Sequence, residues 1–100
     1  MNQAPKQVGE ADVVAYLVLN DNYRRTKNTR HIVDGSVMKD FYGLCICRYQ
    51  KDLGYYLYYC DSSWHALTDT YHNSMEEAMA QAELEYASSK NGWLFPDSNN

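Results

Sequence analysis

Between Gly43 and Thr70 the sequence runs through three β-prone stretches, GLCICRYQ, YYLYYC and WHALTDT, separated only by the turn residues KDLG and DSS. Connections this short allow antiparallel neighbours and nothing else, because a parallel pair needs a crossover of a dozen or more residues. A three-stranded meander therefore constrains the rest of the fold. From Gly43 to Gln50 the pattern has period two, placing Leu44, Ile46 and Arg48 on one face and Cys45, Cys47 and Tyr49 on the other. The same alternation divides Tyr55-Tyr56-Leu57-Tyr58-Tyr59 between the faces. One tyrosine pair belongs to the core. The other, Tyr55/Tyr59 or Tyr56/Tyr58, is offered to solvent or to a partner.

Upstream, Val13 to Leu19 (VVAYLVL) is an unbroken apolar run bounded by Asp12 and Asn20-Asp21-Asn22, the signature of a buried central strand. Tyr23 to His31 has no apolar period and reads as a basic loop. His31-Ile32-Val33 and Ser36-Val37-Met38 flank Asp34-Gly35, a dipeptide suited to a tight hairpin turn. Downstream, Ser74-Met75-Glu76-Glu77 matches a capping box, with Asn73 as the alternative cap. From there to about Ser88, Met75, Ala78, Met79, Ala82 and Tyr86 recur at helical spacing, while Glu77, Gln81 and Leu84 face away. Asn91-Gly92 stops the helix, and Trp93-Leu94-Phe95-Pro96 is expected to return as an edge strand or plug. The fold class that results is α+β: an antiparallel meander of about four to six strands with one C-terminal amphipathic helix on a face. At 100 residues, without a linker or internal repeat, this is one domain, with 1–11 and 97–100 expected to be flexible.

Composition excludes several function classes. The five glycines never cluster as a phosphate loop requires, so no nucleotide cofactor is expected. Cys45, Cys47 and Cys60 make an odd count in a chain large enough to have a core, which fits free thiols in a reducing compartment. Cys45-x-Cys47 lacks the second ligand pair of a zinc knuckle, so no metal is expected. Cys60, His65 or His72, and Asp69 contain the residue types of a nucleophilic site, but no spacing supports one, and the chain is read as no enzyme. The first eleven residues lack a basic and apolar leader, and the longest apolar run is too short to cross a bilayer. A cytoplasmic protein without a membrane partner is expected.

Charge is unevenly spread. Residues 61–100 hold seven acids against Lys90 alone, and the first 60 hold eight bases against six acids. Such a dipolar surface steers charged partners. Glu77, Glu83 and Glu85 on the helix, with Tyr56 and Tyr58 on the sheet, form the expected partner-binding set. Arg24, Arg25, Lys27 and Arg30 form an alternative nucleic-acid footprint, disfavoured by the net charge of −4. Self-association through Leu84, the Trp93-Leu94-Phe95 tail or an open sheet edge, giving a homodimer, stays open.

The string Tyr56-Leu57-Tyr58-Tyr59-Cys60-Asp61, Trp64, Thr68-Asp69-Thr70, His72, Ala78, Gln81-Ala82-Glu83, Glu85-Tyr86 and Trp93 resembles a group of small bacterial immunity proteins. These belong to polymorphic-toxin and contact-dependent inhibition systems. Tyr23-Arg24-Arg25-Thr26 and Asn28-Thr29-Arg30-His31 resemble the same group, and together the two stretches cover about half the chain. The resemblance implies a cytosolic, non-catalytic inhibitor that binds one cognate toxin, for which an acidic helix would suit a basic nuclease domain. It implies a scaffold role, more than an interface role, for Cys60, Asp61, Trp64, Asp69 and Ala82. The alternative is a small nucleic-acid-binding or adaptor domain using residues 24–31 and exposed tyrosines.

Overall fold

The computed structural model describes residues 3–20, 23–25, 31–33, 36–38 and 41–96. Strands β1 (Gln7–Val8), β2 (Ala11–Val18), β6 (Gly43–Arg48), β7 (Tyr55–Cys60) and β8 (Ala66–His72) form one antiparallel sheet in the order β1-β2-β6-β7-β8. Two small pairs stand outside it. Strands β3 (Arg24–Arg25) and β9 (Tyr86–Ala87) join the basic segment to the end of the helix, and β4 (His31–Val33) pairs with β5 (Ser36–Met38). The expected Asp34-Gly35 turn between β4 and β5 lies outside the described residues, as do residues 97–100.

Register turns the alternation of the sequence into two faces. Across β2, β6, β7 and β8, Ala15, Ile46, Leu57 and Thr70 align, and Leu17, Leu44, Tyr59 and Thr68 form the next row. Helix α1 (Met75–Glu85) lies over these rows, and its fully buried Ala78 and Ala82 bring the helix backbone close to the sheet. Tyr86 and Trp93 close this core, with Met75 and Met79 packed at its margin. Each of Leu17, Leu44, Ile46 and Leu57 is 0 to 1% exposed and contributes about 1.5–3 kcal/mol by leaving water. Strand β2 is central because β6 flanks one side and β1 covers part of the other. Beyond β1, Leu94 exchanges two backbone hydrogen bonds of 2.8 Å with Tyr16. The Trp93–Leu94 tail is thus both plug and edge, as its apolar character predicts.

The helix starts where the capping box predicts. Ser74 has an extended backbone (φ −149°), and its Oγ accepts from the Glu77 amide at 3.1 Å, while the Asn73 amide donates to the Glu77 carboxylate at 3.0 Å. Such a cap is worth about 1 kcal/mol.

Four expectations change. The helix ends at Glu85 and not near Ser88, because Tyr86–Ala87 turn extended to pair with Arg24–Arg25 and Ser88 adopts φ 74°. The Glu83 carboxylate then accepts from the amides of Ser88 (2.8 Å) and Lys90 (2.9 Å), holding the turn. For the same reason Arg24–Arg25 are a short strand and no part of a loop. Residues 7–11, expected to be flexible, pair as a hairpin with β2, burying Val8 and Ala11 against the sheet. Trp64 and His65 belong to the β7–β8 turn, so β8 begins at Ala66 and extends to His72.

That turn is built on Asp61. Its Oδ1 accepts from the Ser63 and His65 amides, each at 2.9 Å, its carbonyl accepts from the Trp64 amide at 2.9 Å, and Trp64 takes φ 62°. From this left-handed backbone the indole reaches Gly43, where a Cβ would stand 2.5 Å from two ring carbons. Gly43→Ala is expected to cost about 1–3 kcal/mol, the range for overpacking a filled site, read as a lower urea midpoint. An unchanged midpoint would mean the indole is free to move. Under the helix, the Tyr59 hydroxyl donates to the buried Glu85 carboxylate, which also accepts from Gln81 Nε2 at 2.8 Å. Tyr59→Phe removes one donor from a buried carboxyl group and should lose about 1–3 kcal/mol by the same measurement.

Candidate functional site

The sheet face opposite the helix carries no helix of its own among the described residues. Its rows are Val13, Cys47, Tyr56, Tyr71 and Tyr16, Cys45, Tyr58, Asp69. Apolar strand residues still leave water here, because aromatic rings roof them. Tyr16 and Tyr42 meet the Trp64 indole edge-on at 6.0 and 5.6 Å, and Ala4 and Val8 pack alongside. Of the two tyrosine pairs that alternation left open, Tyr56/Tyr58 therefore lie on the open face and Tyr55/Tyr59 on the helix face.

At the β6–β7 end of this face the roof becomes a ridge of four tyrosines. The Tyr56 ring stacks on Tyr58 at 5.8 Å (11°) and meets Tyr49 at 5.5 Å (89°) and Tyr71 at 4.9 Å (68°) edge-on. Offset and edge-to-face pairs of this kind add about 0.5–1.5 kcal/mol each beyond area burial. The Tyr49 and Tyr58 hydroxyls share a hydrogen bond of 2.9 Å. Asp52, in the turn, gathers the remaining hydroxyls: Oδ1 accepts from the Gly54 amide (3.1 Å) and Tyr71 (2.9 Å), and Oδ2 accepts from Tyr56 (3.3 Å). Gly54 is required here, since the Tyr71 ring crosses its Cα where a Cβ would stand. Leu53 projects from the turn beside the ridge, 87% exposed, and Tyr71 is 48% exposed. A pocket of about 310 Å³ opens next to the ridge, lined by Val8, Gly9, Tyr49, Tyr58, Trp64, His65 and Ala66.

Electrostatics follow from these contacts. The Gly54 amide, then the Tyr71 and Tyr56 hydroxyls, hold the Asp52 carboxyl below its ordinary value. In return, the hydrogen bond to Asp52 raises Tyr71, and burial followed by the Asp52 charge raises Tyr56. The ridge is therefore neutral phenol around an ionised carboxylate at physiological pH.

The residues singled out by type do not assemble a reactive centre. Cys45, Cys47 and Cys60 are free thiols buried beneath the tyrosine roof. The Cys47 sulfur beside Cys45 and the Cys45 sulfur beside Cys60, with burial, push the Cys45 and Cys60 thiols up, away from nucleophilic thiolate. Asp69 is opposite Tyr58 on the open face, and His72 is opposite Tyr55 on the helix face, where its Nε2 lies 2.7 Å from Thr70 Oγ1 and burial lowers its pKa. His65 is exposed, 3.6 Å from the Asp61 carboxylate. Among the described residues no three His, Cys, Asp or Glu side chains are placed to hold a metal ion, and no helix is long and apolar enough to cross a membrane.

Of the expected partner-binding residues, Tyr56 is in the ridge and Glu77 is exposed on the helix. Tyr58 is on the same face but buried, serving as the floor on which Tyr56 stacks. Glu85 is corrected: it is 4% exposed, held by Tyr59 and Gln81, and offers no charge to a partner. Glu83 is half-buried and already engaged by backbone amides. Arg24 and Arg25 are placed by their backbones in β3, and Lys27 and Arg30 lie outside the described residues. Of the residues the resemblance implies as scaffold, Asp61 holds a turn, Trp64 roofs Gly43 and Ala82 seats the helix, whereas Asp69 is exposed. Leu84, Leu94 and Phe95 are about half or more exposed, while Trp93 is buried. Sequence reasoning missed Asp52, Leu53 and Tyr71. Their signal was slight: an Asx-type turn residue two before Gly54, and an aromatic residue in the following strand.

Because the folded pKa of Asp52 is depressed, its contribution to stability is complete above the unfolded value of 3.8 and is lost as pH falls through the folded value. Asp52→Asn keeps an acceptor for Gly54 but does not ionise. Its urea midpoint should therefore fall less than that of the parent between pH 6 and pH 3, and an equal fall would separate Asp52 from the tyrosine hydroxyls. Comparison of the chain with protein-family models, with curated proteins and with solved structures finds no match.

Proposed function

We propose that the chain is a non-catalytic protein-binding inhibitor, an immunity protein that acts in the cytosol by binding a cognate bacterial toxin directly. The observation that carries this reading is the open tyrosine face: a rigid aromatic ridge with an exposed leucine at its margin and a side-chain-sized pocket beside it. Tyrosine supplies large contact area at low entropic cost, and interface energy concentrates in such anchors. Rings already held by Asp52 and by each other lose little further freedom on binding. The resemblance to toxin-immunity proteins supports the choice of partner. The burial of the thiols and the dispersal of His and Asp over two faces support an inhibitor over an enzyme.

The test is co-expression of this chain with the polypeptide encoded beside it, scored by growth and by co-purification through a high-salt wash. Growth arrest by the neighbour alone, relieved by this chain with recovery of a stoichiometric complex, is the expected result. Neither relief nor complex would end the reading. In a complex, Tyr56→Ala and Leu53→Glu should each weaken binding by about 2 kcal/mol or more, measured by calorimetry, whereas Glu77→Lys on the helix should change it less.

A further inference from the structure

The open face carries charge as well as rings. Asp52 sits at the end of the ridge, and Asp69 is exposed on β8 directly opposite Tyr58. Neither forms a salt bridge among the described residues. Arg48, at the end of β6, lies over the Tyr55 ring at 5.6 Å, and its Nε donates to the backbone carbonyl of Asp52 at 3.4 Å. Lys51, next to Asp52 in the turn, is exposed. The Asp52 Oδ2 accepts from Tyr56 at 3.3 Å, and a carboxylate oxygen has room for two hydrogen bonds. The Tyr56 and Tyr71 hydroxyls both reach this carboxylate, and the Tyr49 and Tyr71 rings meet the Tyr56 ring edge-on beside it.

Building on the protein-binding reading above, we infer that the ridge of Tyr49, Tyr56 and Tyr71 with Asp52 and Asp69 is an anchor site for an arginine side chain of the partner protein. A guanidinium fits both halves of the site. It donates planar hydrogen bonds to carboxylates and stacks on aromatic faces, which the compact, strongly hydrated ammonium of lysine does less well. Two carboxylates flanking the ridge, one in the β6–β7 turn and one on β8, then select a basic segment over an acidic or neutral one by charge complementarity. The hydrogen bonds already made by Asp52 hold the acceptor oxygen still, so the arginine meets a preformed site. The partner surface is accordingly basic, with arginine at its centre. The helix acids are not the main contact, since Glu85 is buried and Glu83 is turned onto backbone amides.

The experiment is a nuclear magnetic resonance titration of the full chain with three nine-residue peptides of alternating Gly with Arg, Lys or Glu. The arginine peptide should shift the amides of Gly54, Tyr56, Asp69 and Tyr71 saturably, the lysine peptide should bind several-fold more weakly, and the glutamate peptide should not bind. The Asp52→Asn, Asp69→Asn double variant should weaken the arginine peptide about tenfold. Its unaltered spectrum elsewhere would show that the turn, whose Gly54 amide still finds an acceptor, has folded. Tyr71→Phe, which keeps the ring and removes the hydroxyl, should weaken binding by a smaller factor. Absence of shifts, shifts confined to the helix acids Glu76 and Glu77, or equal affinity in the double variant would overturn the inference. The two readings fail separately. If the double variant still relieves toxin arrest with undiminished affinity, the arginine site falls and the inhibitor stands. If the arginine peptide binds as described but the neighbouring polypeptide does not, the site stands and the toxin partner falls.

Discussion

The pairing of β6 with β7 is the contact on which the remaining structure depends. Leu44 opposite Tyr59 and Ile46 opposite Leu57 make one surface, and Cys45 opposite Tyr58 and Cys47 opposite Tyr56 make the other. A slip of one residue would exchange the two surfaces, putting Tyr56 and Tyr58 under the helix and Leu57 and Tyr59 into the open. The register is held from both sides. On the helix face, Ala78 and Ala82 leave room for Tyr59 and Leu57. On the other, small cysteines at the strand centre leave room for tyrosine and tryptophan rings above them.

Each face handles polarity differently. Beneath the helix, the Glu85 carboxylate is kept from water and accepts from Tyr59 and Gln81. The arrangement ties the last turn of the helix to the C-terminal end of β7, residues 26 positions apart in sequence. On the open face, hydroxyls gather around Asp52 within reach of solvent. A carboxylate there carries little desolvation cost and its hydrogen bonds serve to orient rings. The buried acid fastens the fold, and the half-exposed acid arranges a surface.

A sheet face roofed by its own aromatics is an economical way for a short chain to keep one face both dry enough to fold and available to a partner. Among the described residues, the cysteines, Val13 and Tyr16 are covered by these rings. The covering rings keep their outer edges in water. The same residues therefore act in stability and in recognition, and the ridge is rigid for the reason that it is stable.

The sequence by itself determined the strands of the meander, the division of residues between its faces and the start of the helix. All three rest on local rules: period two in GLCICR, turn residues at Lys51-Asp52 and Asp61-Ser62, and the capping hydrogen bonds that tie Ser74 and Asn73 to Glu77. Glu85 was also legible, since it stands three and seven residues after Ala82 and Ala78 on the stripe that meets the sheet, but its charge argues for the surface until Tyr59 is known to lie beneath it. Only the tertiary structure decided which tyrosine pair faces outward, because alternation is symmetric until the helix chooses a side. It alone brought Tyr71 over Gly54 to Asp52, across 19 residues, and ended the helix by pairing Tyr86–Ala87 with Arg24–Arg25. Those contacts join segments distant in the chain, and no local pattern encodes the meeting of two segments whose separation is closed only by folding.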